Sequence, residues 1–173
     1  MKLSALIKEV NKDIDDSLPN ADIIGWLNRA LDDLSPIAKH KKKATLVLPA
    51  GTADLTLPDD VIEVVRIVQG GPVLNYEKWG SIITLPTTYT EDQVFTLYYY
   101  AQLPHLTNNP DDEPAIPSHF HDLLILYAVA KAKYQDEEPE LQGSAWGEYI
   151  TRKMEFNSFQ SGDGEINQVR LVT

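Results

Sequence analysis

The chain has 173 residues, of which 26 are acidic and 15 are basic, so its formal net charge is −11. This balance argues against a free-standing DNA-binding domain, because contacts to phosphate require lysine and arginine. Cysteine is absent, which excludes disulfides, thiolate metal ligands and a cysteine nucleophile. No apolar run reaches the roughly 18 residues of a membrane span, and no signal-peptide pattern follows Met1. We therefore expect a soluble, intracellular protein with one domain and one excursion from it.

Two amphipathic helices are predicted at the start of the chain. The first carries an apolar stripe at helical spacing: Leu3, Ile7, Val10 and Ile14. The second runs from about Asp22 to Leu34, and Pro36 predicts its end soon afterwards. Its stripe consists of Ile23, Leu27, Ala30, Leu31 and Leu34.

A change from helical to twofold periodicity follows residues 39–43, the dense basic run of the chain. Strands are predicted at residues 45–48, 54–57, 61–68, 82–85 and 94–100, with proline- or glycine-containing turns between them. The strand 61–68 is apolar on both faces apart from Glu63 and Arg66, which predicts a central position. Together these strands indicate a small antiparallel sheet or sandwich.

A proline-rich, acidic connector over residues 103–117 precedes two further helices. Ser118 is a suitable cap for the third helix, and residues 123–130 are apolar nearly all round, as in a helix covered on several sides. Pro139 is favourable at the first position of the fourth helix. That helix is predicted to bury Leu141, Ala145, Tyr149 and Phe156, with Phe159 as a further candidate.

The order of these elements predicts an α+β protein. Because neither helix pair can bury its apolar faces alone, we expect a helical bundle of about four helices, two N-terminal and two C-terminal, with an inserted small antiparallel β domain. The bundle takes residues 1–38 and 103–160, and the β region takes residues 39–102. Residues 161–173 form a flexible C-terminal arm in this scheme.

Candidate catalytic residues are weakly supported. His119 and His121 flank Phe120, but residues two apart on a helix point about 200° from each other and cannot share an ion there. A polar pair around a buried Phe120 is the favoured interpretation. Three adjacent carboxylate pairs are interpreted as solvated acids: Asp32 with Asp33, Asp59 with Asp60, and Asp111 with Asp112. Without a phosphate-binding loop or a nucleophile elbow, we predict no catalytic residue, metal or cofactor.

The basic run offers a candidate partner-binding surface, since it is isolated in an acidic chain. Its candidate contacts are Lys39, Lys41, Lys42 and Lys43. The alternatives are a solvated corner between helix and strand, or contact with nucleic acid. The tyrosines at 98–100 have the chemistry to stack bases. Alternation instead places Tyr99 with Phe95 and Leu97 on one face and the other two on the opposite face, which favours core and rim packing.

The C-terminal tail is a second candidate for partner binding. Apolar residues lie beyond a glycine-containing hinge, and such a segment can add a strand to a partner's sheet or lodge in a groove. A frayed terminus is the alternative. The candidate residues are Val169, Arg170, Leu171 and Val172.

Residues 22–30, DIIGWLNRA, resemble the second-helix signature of the head–tail adaptor, or connector, proteins of tailed bacteriophages. The phrase from Ala50 to Asp60, followed by the strand 61–68, is similar to the same family. So is the sequence YYYA at residues 98–101 with the loop after it. Further similar positions are Pro104, Leu106, Ile116, Pro117, Phe120, His121, the apolar run 123–128 and Tyr149.

The resemblance implies a structural neck protein without enzymatic activity. Members form a ring, usually of twelve copies, beneath the portal protein at the capsid vertex. Such a ring extends the DNA channel, passes DNA without sequence-specific binding and provides a platform for the tail or a stopper protein. The resemblance also implies a helical ring body, a C-terminal arm reaching the portal, no membrane association, and a place in the virion after synthesis in the host cytoplasm. The alternatives are a tail-completion or stopper protein of the same neck, or a metal- or carboxylate-dependent hydrolase.

Overall fold

The computed structural model describes residues 1–14, 18–135 and 139–165. The helices are α1 (Leu3–Val10), α2 (Asn20–Ala38), α3 (Asp122–Gln135) and α4 (Pro139–Glu165), with a 3₁₀ turn at Ser118–Phe120. The strands are β1 (His40–Leu48), β2 (Asp54–Thr56), β3 (Val61–Val68), β4 (Glu77–Trp79), β5 (Ile82–Thr84) and β6 (Gln93–Ala101). The predicted α+β class is confirmed. The chain divides into a helical unit, Met1–Ala38 with residues from Leu103 onward, and a sheet unit, Lys39–Gln102.

The helical unit has its own apolar core, to which all four helices contribute. The whole predicted stripe of α2 is fully buried, and in α1 Leu3 and Val10 are buried while Ile7 packs at the edge of the core. Helix α3 packs against α1, α2 and α4, so it is apolar on several faces as its sequence predicts. Local periodicity thus identifies correctly the faces of α1, α2 and α3 that meet in this core.

Helix α2 continues to Ala38, so the predicted end of the helix near Pro36 is wrong. A proline in a helix removes one backbone hydrogen bond and disfavours the preceding turn. Here Ser35 lies in the buried core, where its hydroxyl donates to the carbonyl of Leu31 at 2.8 Å and accepts from the Leu103 amide at 2.9 Å. These buried hydrogen bonds hold the last turn of the helix against the rest of the unit.

Helix α4 begins at Pro139 as predicted and extends through 27 residues to Glu165. Tyr149 and Phe156 are fully buried, but the predicted burial of Leu141 and Phe159 is wrong, because their side chains are 54% and 45% exposed. Eight residues before Tyr149, Leu141 is turned about 80° away from the buried face.

The first residues of the predicted flexible arm, 161–165, continue the helix α4. Within this turn the hydroxyl of Ser161 donates to the carbonyl of Asn157 at 2.9 Å. One residue earlier, the amide of Gln160 donates to the carbonyl of Ala38 at 2.7 Å and ties the helix to α2. Gly162, in the same turn, costs about 1 kcal/mol relative to alanine in a helix.

The sheet unit consists of two three-stranded antiparallel sheets, ordered β1–β6–β3 and β2–β5–β4. Both sheets contribute to one core, which is separate from that of the helical unit. Its buried residues are Leu48, Leu55, Leu57, Ile67, Ile83, Leu85, Phe95, Leu97, Tyr99 and Ala101. The alternation predicted for residues 94–100 is confirmed, because every second residue of β6 from Phe95 onward is buried.

Three predictions for the sheet unit are wrong. The central strand of the larger sheet is β6, whereas β3 lies at an edge. Two register shifts interrupt β3, between Val61 and Glu63 and between Val64 and Arg66, and such bulges are common at sheet edges. The first strand starts at His40 rather than residue 45. Strand β4 is absent from the prediction because its three exposed residues show no apolar alternation.

The buried histidine of the helical unit is neutral for geometric reasons. His121 is 1% exposed, and its Nε2 lies 3.0 Å from the carbonyl oxygen of Ile116. Because a carbonyl only accepts, Nε2 carries the proton, which leaves Nδ1 to accept from the amino terminus of Met1. Burial lowers the pKa of His121, and the nearby ammonium group lowers it further.

We expect the fold to lose stability as the pH falls below about 6.5, the pKa of an unperturbed histidine. The unfolded chain then binds a proton that the buried ring of His121 resists, at a slope of at most about 1.4 kcal/mol per pH unit for one group. Urea unfolding between pH 7.5 and 5 measures this slope. It should flatten in His121→Gln and persist in the control His105→Gln, whose exposed ring pairs with Asp32. Equal slopes in the wild type and His121→Gln would contradict the assignment.

Candidate partner-binding surfaces

The basic run lies in strand β1 rather than in a corner between helix and strand. Within the basic run, only Lys39 has a positive φ, which is 47° and typical of a turn. From His40 onward the backbone pairs with β6, which places Lys41 opposite Tyr100 and Lys43 opposite Tyr98. The extended pairing with a central strand therefore overrides the low strand propensity of lysine.

Strand alternation divides the lysines between the two faces of the sheet. Lys42 shares the inner side with its cross-strand partner Tyr99. Its Nζ donates to Asp60 at 2.5 Å, and the Tyr99 hydroxyl donates to the other carboxylate oxygen at 3.1 Å. The hydrogen bond to Asp60 raises the pKa of Lys42, and the same bond lowers the pKa of Asp60. Lys42 is therefore occupied within the sheet unit, and Asp60 is its anchor.

The other side of this sheet is a surface that we name the open face. It comprises Lys41, Lys43, Thr45 and Val47 of β1, Val94, Thr96, Tyr98 and Tyr100 of β6, and Glu63 and Arg66 of β3. The guanidinium of Arg66 lies 4.4 Å from the centre of the Tyr98 ring. At one end of the face two opposed valines, Val47 and Val94, are each 58% exposed. The open face thus combines cations, aromatic rings and an apolar pair.

The helical unit carries a shallow groove of about 510 Å³ beside helices α3 and α4. The residues lining it are Asp122, Leu126, Gly143, Ser144, Gly147, Glu148, Thr151, Arg152 and Glu155. Arg152 donates from Nε to Asp122 at 2.8 Å and from Nη1 to Glu155 at 2.5 Å. Within the described residues, Glu148 forms no ion pair. Small residues on one side and carboxylates around them define this groove.

Next to the groove, helix α4 exposes apolar side chains on the side opposite its buried face. Ile150 is 41% exposed and Met154 is 67% exposed. A helix with apolar residues on two faces is typical of one that is covered on both. In the described unit only one of these faces meets the core, which contains Tyr149 and Phe156.

The paired carboxylates of the helical unit point to separate partners. The carboxylate of Asp32 lies 2.7 Å from Nε2 of His105. Asp33 instead accepts hydrogen bonds from Lys153 at 2.6 Å and from Tyr149. Partial burial by itself would raise the pKa of Asp33, but these hydrogen bonds lower it below its usual value. In the connector, Asp112 accepts from the amide and hydroxyl of Thr107 at 2.6 and 2.7 Å. These acids therefore fix the fold, and neighbours in sequence do not form a facing pair.

The histidine pair is also divided between two environments. His121 is buried, whereas the ring of His119 lies 4.4 Å from that of Phe120 and 5.2 Å from that of Phe159. Phe120 is buried as predicted. In the described parts of the chain, no group of three histidine or carboxylate side chains is arranged to hold a metal ion.

The tail candidates Val169, Arg170, Leu171 and Val172 lie outside the described residues. Of the predicted partner-binding lysines, the structure brings Lys41 and Lys43 together on the open face and separates Lys42 from them. The aromatic and arginine residues of that face were not predicted as part of a site. The signal in the sequence was the alternation of residues 98–100, which turns Tyr98 and Tyr100 outward. The register that places them opposite Lys43 and Lys41 is a result of the structure.

The N-terminal part of the chain is similar to a known protein family. Residues 1–83, slightly under half of the chain, match the family model described as the SU10 adaptor protein. They span α1, α2 and the first strands of the sheet unit, and they include the quoted phrases around residues 22–30 and 50–68.

The match confirms the predicted resemblance to phage head–tail adaptors. The matched family consists of structural adaptor proteins of phages. No curated protein matches the chain. Among the described helices, none combines the length and apolar character needed to cross a bilayer.

Proposed function

We propose that this protein is an adaptor subunit of a phage neck that docks on the portal protein. Copies close into a ring that extends the DNA channel and provides the attachment platform for the tail or a stopper protein. The observation that carries this proposal is the match of residues 1–83 to the adaptor family. The role proposed is structural, with no catalytic step.

The charge of the chain supports a channel that DNA passes without adhering. A formal net charge of −11 repels the phosphate backbone, so a lumen of this composition keeps DNA moving. Ring closure requires heterologous contacts, in which different surfaces of neighbouring copies meet. The open face and the exposed side of α4 are two such surfaces on the described chain.

The C-terminal tail is proposed to order on the portal. Deletion of residues 168–173 is expected to leave a folded protein that no longer joins portal rings. The truncated chain would lack the apolar side chains that the tail is proposed to insert into a groove of the portal. Negative-stain imaging of portal mixed with the truncated protein measures the occupancy. A matched control replaces Asn167 by serine and keeps the tail.

Normal occupancy by the truncated protein would contradict the role of the tail. Copurification of the full chain with the tail tube instead of the portal would place it at another level of the neck. If portal particles show no ring density at a saturating concentration of the protein, the proposal that the protein is an adaptor subunit is contradicted.

A further inference from the structure

We propose that the open face of the sheet unit docks on the helical unit of a second copy of this chain. The inference rests on the ring assembly proposed above and names two surfaces that meet within it. The open face presents Lys41 and Lys43 on β1 and Arg66 on β3, with tyrosine rings between them. A face with these cations fits an acidic occupant.

The distribution of charge along the chain supplies that occupant. The sheet unit contains six lysine and arginine residues and seven acidic residues, for a net charge of −1. The remainder of the chain contains nine basic and nineteen acidic residues, for a net charge of −10. Two helical units therefore repel each other, whereas a basic face meets a helical unit favourably.

The composition of the open face favours a protein partner over a nucleic acid. Tyrosine and arginine are enriched in the centres of protein interfaces. The exposed pair Val47 and Val94 adds apolar area that a phosphate backbone cannot cover. A nucleic-acid surface would need more cations than these, because each phosphate contact requires one.

The groove beside α4 is the part of the helical unit that suits this face. Gly143 and Gly147 have open space where a side chain would project, so a flat surface can approach the helix backbone closely. Glu148 lines the same groove as these glycines and the carboxylates paired with Arg152, and it has no ion pair of its own in the described chain. It is the natural acceptor for a lysine from a neighbour.

The proposed contact joins unlike surfaces, so it is heterologous and continues from copy to copy. Such a series either closes as a ring or extends as a filament. The apolar residues Ile150 and Met154, adjacent to the groove, would be covered at the same time as Val47 and Val94. Apolar burial and charge pairing then act together at one interface.

Zero-length cross-linking between copies tests the contact directly. Full-length protein with natural isotopes is mixed with ¹⁵N-labelled protein, with and without portal rings, and treated with a carbodiimide that joins amines to carboxylates. We expect mixed-isotope peptides linking Lys41 or Lys43 to Glu148. The mixed label separates links between copies from links within one.

Charge reversal gives a second readout. Lys43→Glu and Glu148→Lys should each weaken self-association by about fivefold or more, since like charges then face each other across the contact. A chain that carries both reversals should recover most of the wild-type self-association. Lys78→Glu, on the exposed strand β4 and away from the open face, is the matched control and should have no effect. Circular dichroism confirms that each variant folds.

The outcomes separate this inference from the proposed function. The inference is overturned if Lys43→Glu occupies portal rings as fully as the wild type does, or if the double reversal fails to restore self-association. Either result leaves the adaptor role intact. Loss of oligonucleotide binding in Lys43→Glu without loss of mixed-isotope links also overturns it. Absence of both rings on portal and links between copies overturns the inference and the proposed function together.

Discussion

Replacing Tyr149 by alanine is expected to lower the free energy of unfolding of the helical unit by about 3–5 kcal/mol, the cost of deleting a buried aromatic ring. The side chain is fully buried and its ring packs 5.4 Å from Tyr127 and 5.2 Å from Trp146, measured between ring centres. Its hydroxyl donates to the carboxylate of Asp33, and burial raises its pKa. A ring that joins α4 to α2 and α3 in this way leaves a large cavity when removed.

The smaller change Tyr149→Phe separates the ring from the hydroxyl. It should cost about 1–3 kcal/mol, because the Asp33 carboxylate loses one donor and keeps Lys153. Urea unfolding followed by circular dichroism gives both values. Tyr134→Ala is the matched control, since that side chain is 68% exposed and its loss should cost under about 0.5 kcal/mol. Equal costs for Tyr149→Ala and Tyr134→Ala would show that the packing of α4 described above is wrong.

Replacing Phe95 by alanine is expected to destabilise the sheet unit by about 3–5 kcal/mol. Phe95 is fully buried on the central strand β6, with the ring of Tyr89 6.0 Å away in an edge-to-face arrangement. Because the sheet unit has a core separate from that of the helical unit, the loss should be confined to it.

Hydrogen exchange of individual amides measures this confinement. Protection in β1, β3 and β6 should fall by about a hundredfold or more, since 1.4 kcal/mol corresponds to a factor of ten. The amides of α2 should keep their wild-type protection. Val94→Ala, on the same strand but 58% exposed, serves as the control. A uniform loss of protection in both units would mean that they unfold as one cooperative body.

The helix faces were predictable because their signal is local. In α2, five apolar residues at helical spacing, from Ile23 to Leu34, are all fully buried. The end of that helix was not predictable, since it depends on the hydrogen bond between Ser35 and Leu103, residues far apart in sequence. The local rule that proline ends a helix is overridden by this distant contact.

The sheet shows the same division between local and distant information. Alternation along β6 identifies its buried side correctly, but the order of the strands depends on which partners each strand meets. The apolar sequence of β3 suggested a centre, whereas its bulges place it at an edge. Apolar content alone does not distinguish these positions when an edge strand is irregular.

Of the candidate surfaces, the sequence identified the lysines but not their division. The predicted strand began at residue 45 rather than His40, so alternation was not applied to Lys41, Lys42 and Lys43. The pairing of Lys42 with Asp60 joins strand β1 to a distant turn. The stacking of Arg66 on Tyr98 likewise depends on the register of β3 against β6. Registers are set by whole strands and cannot be read from one segment.

The serine hydroxyl that binds the Leu103 amide has a consequence for the inserted sheet unit. It holds the point where the chain re-enters the helical bundle close to the end of α2, where the chain leaves it. The intervening segment is therefore an insertion between two adjacent anchor points, and a short linker can span them. Replacing the sheet unit by such a linker is therefore expected to leave the packing of the helices unchanged.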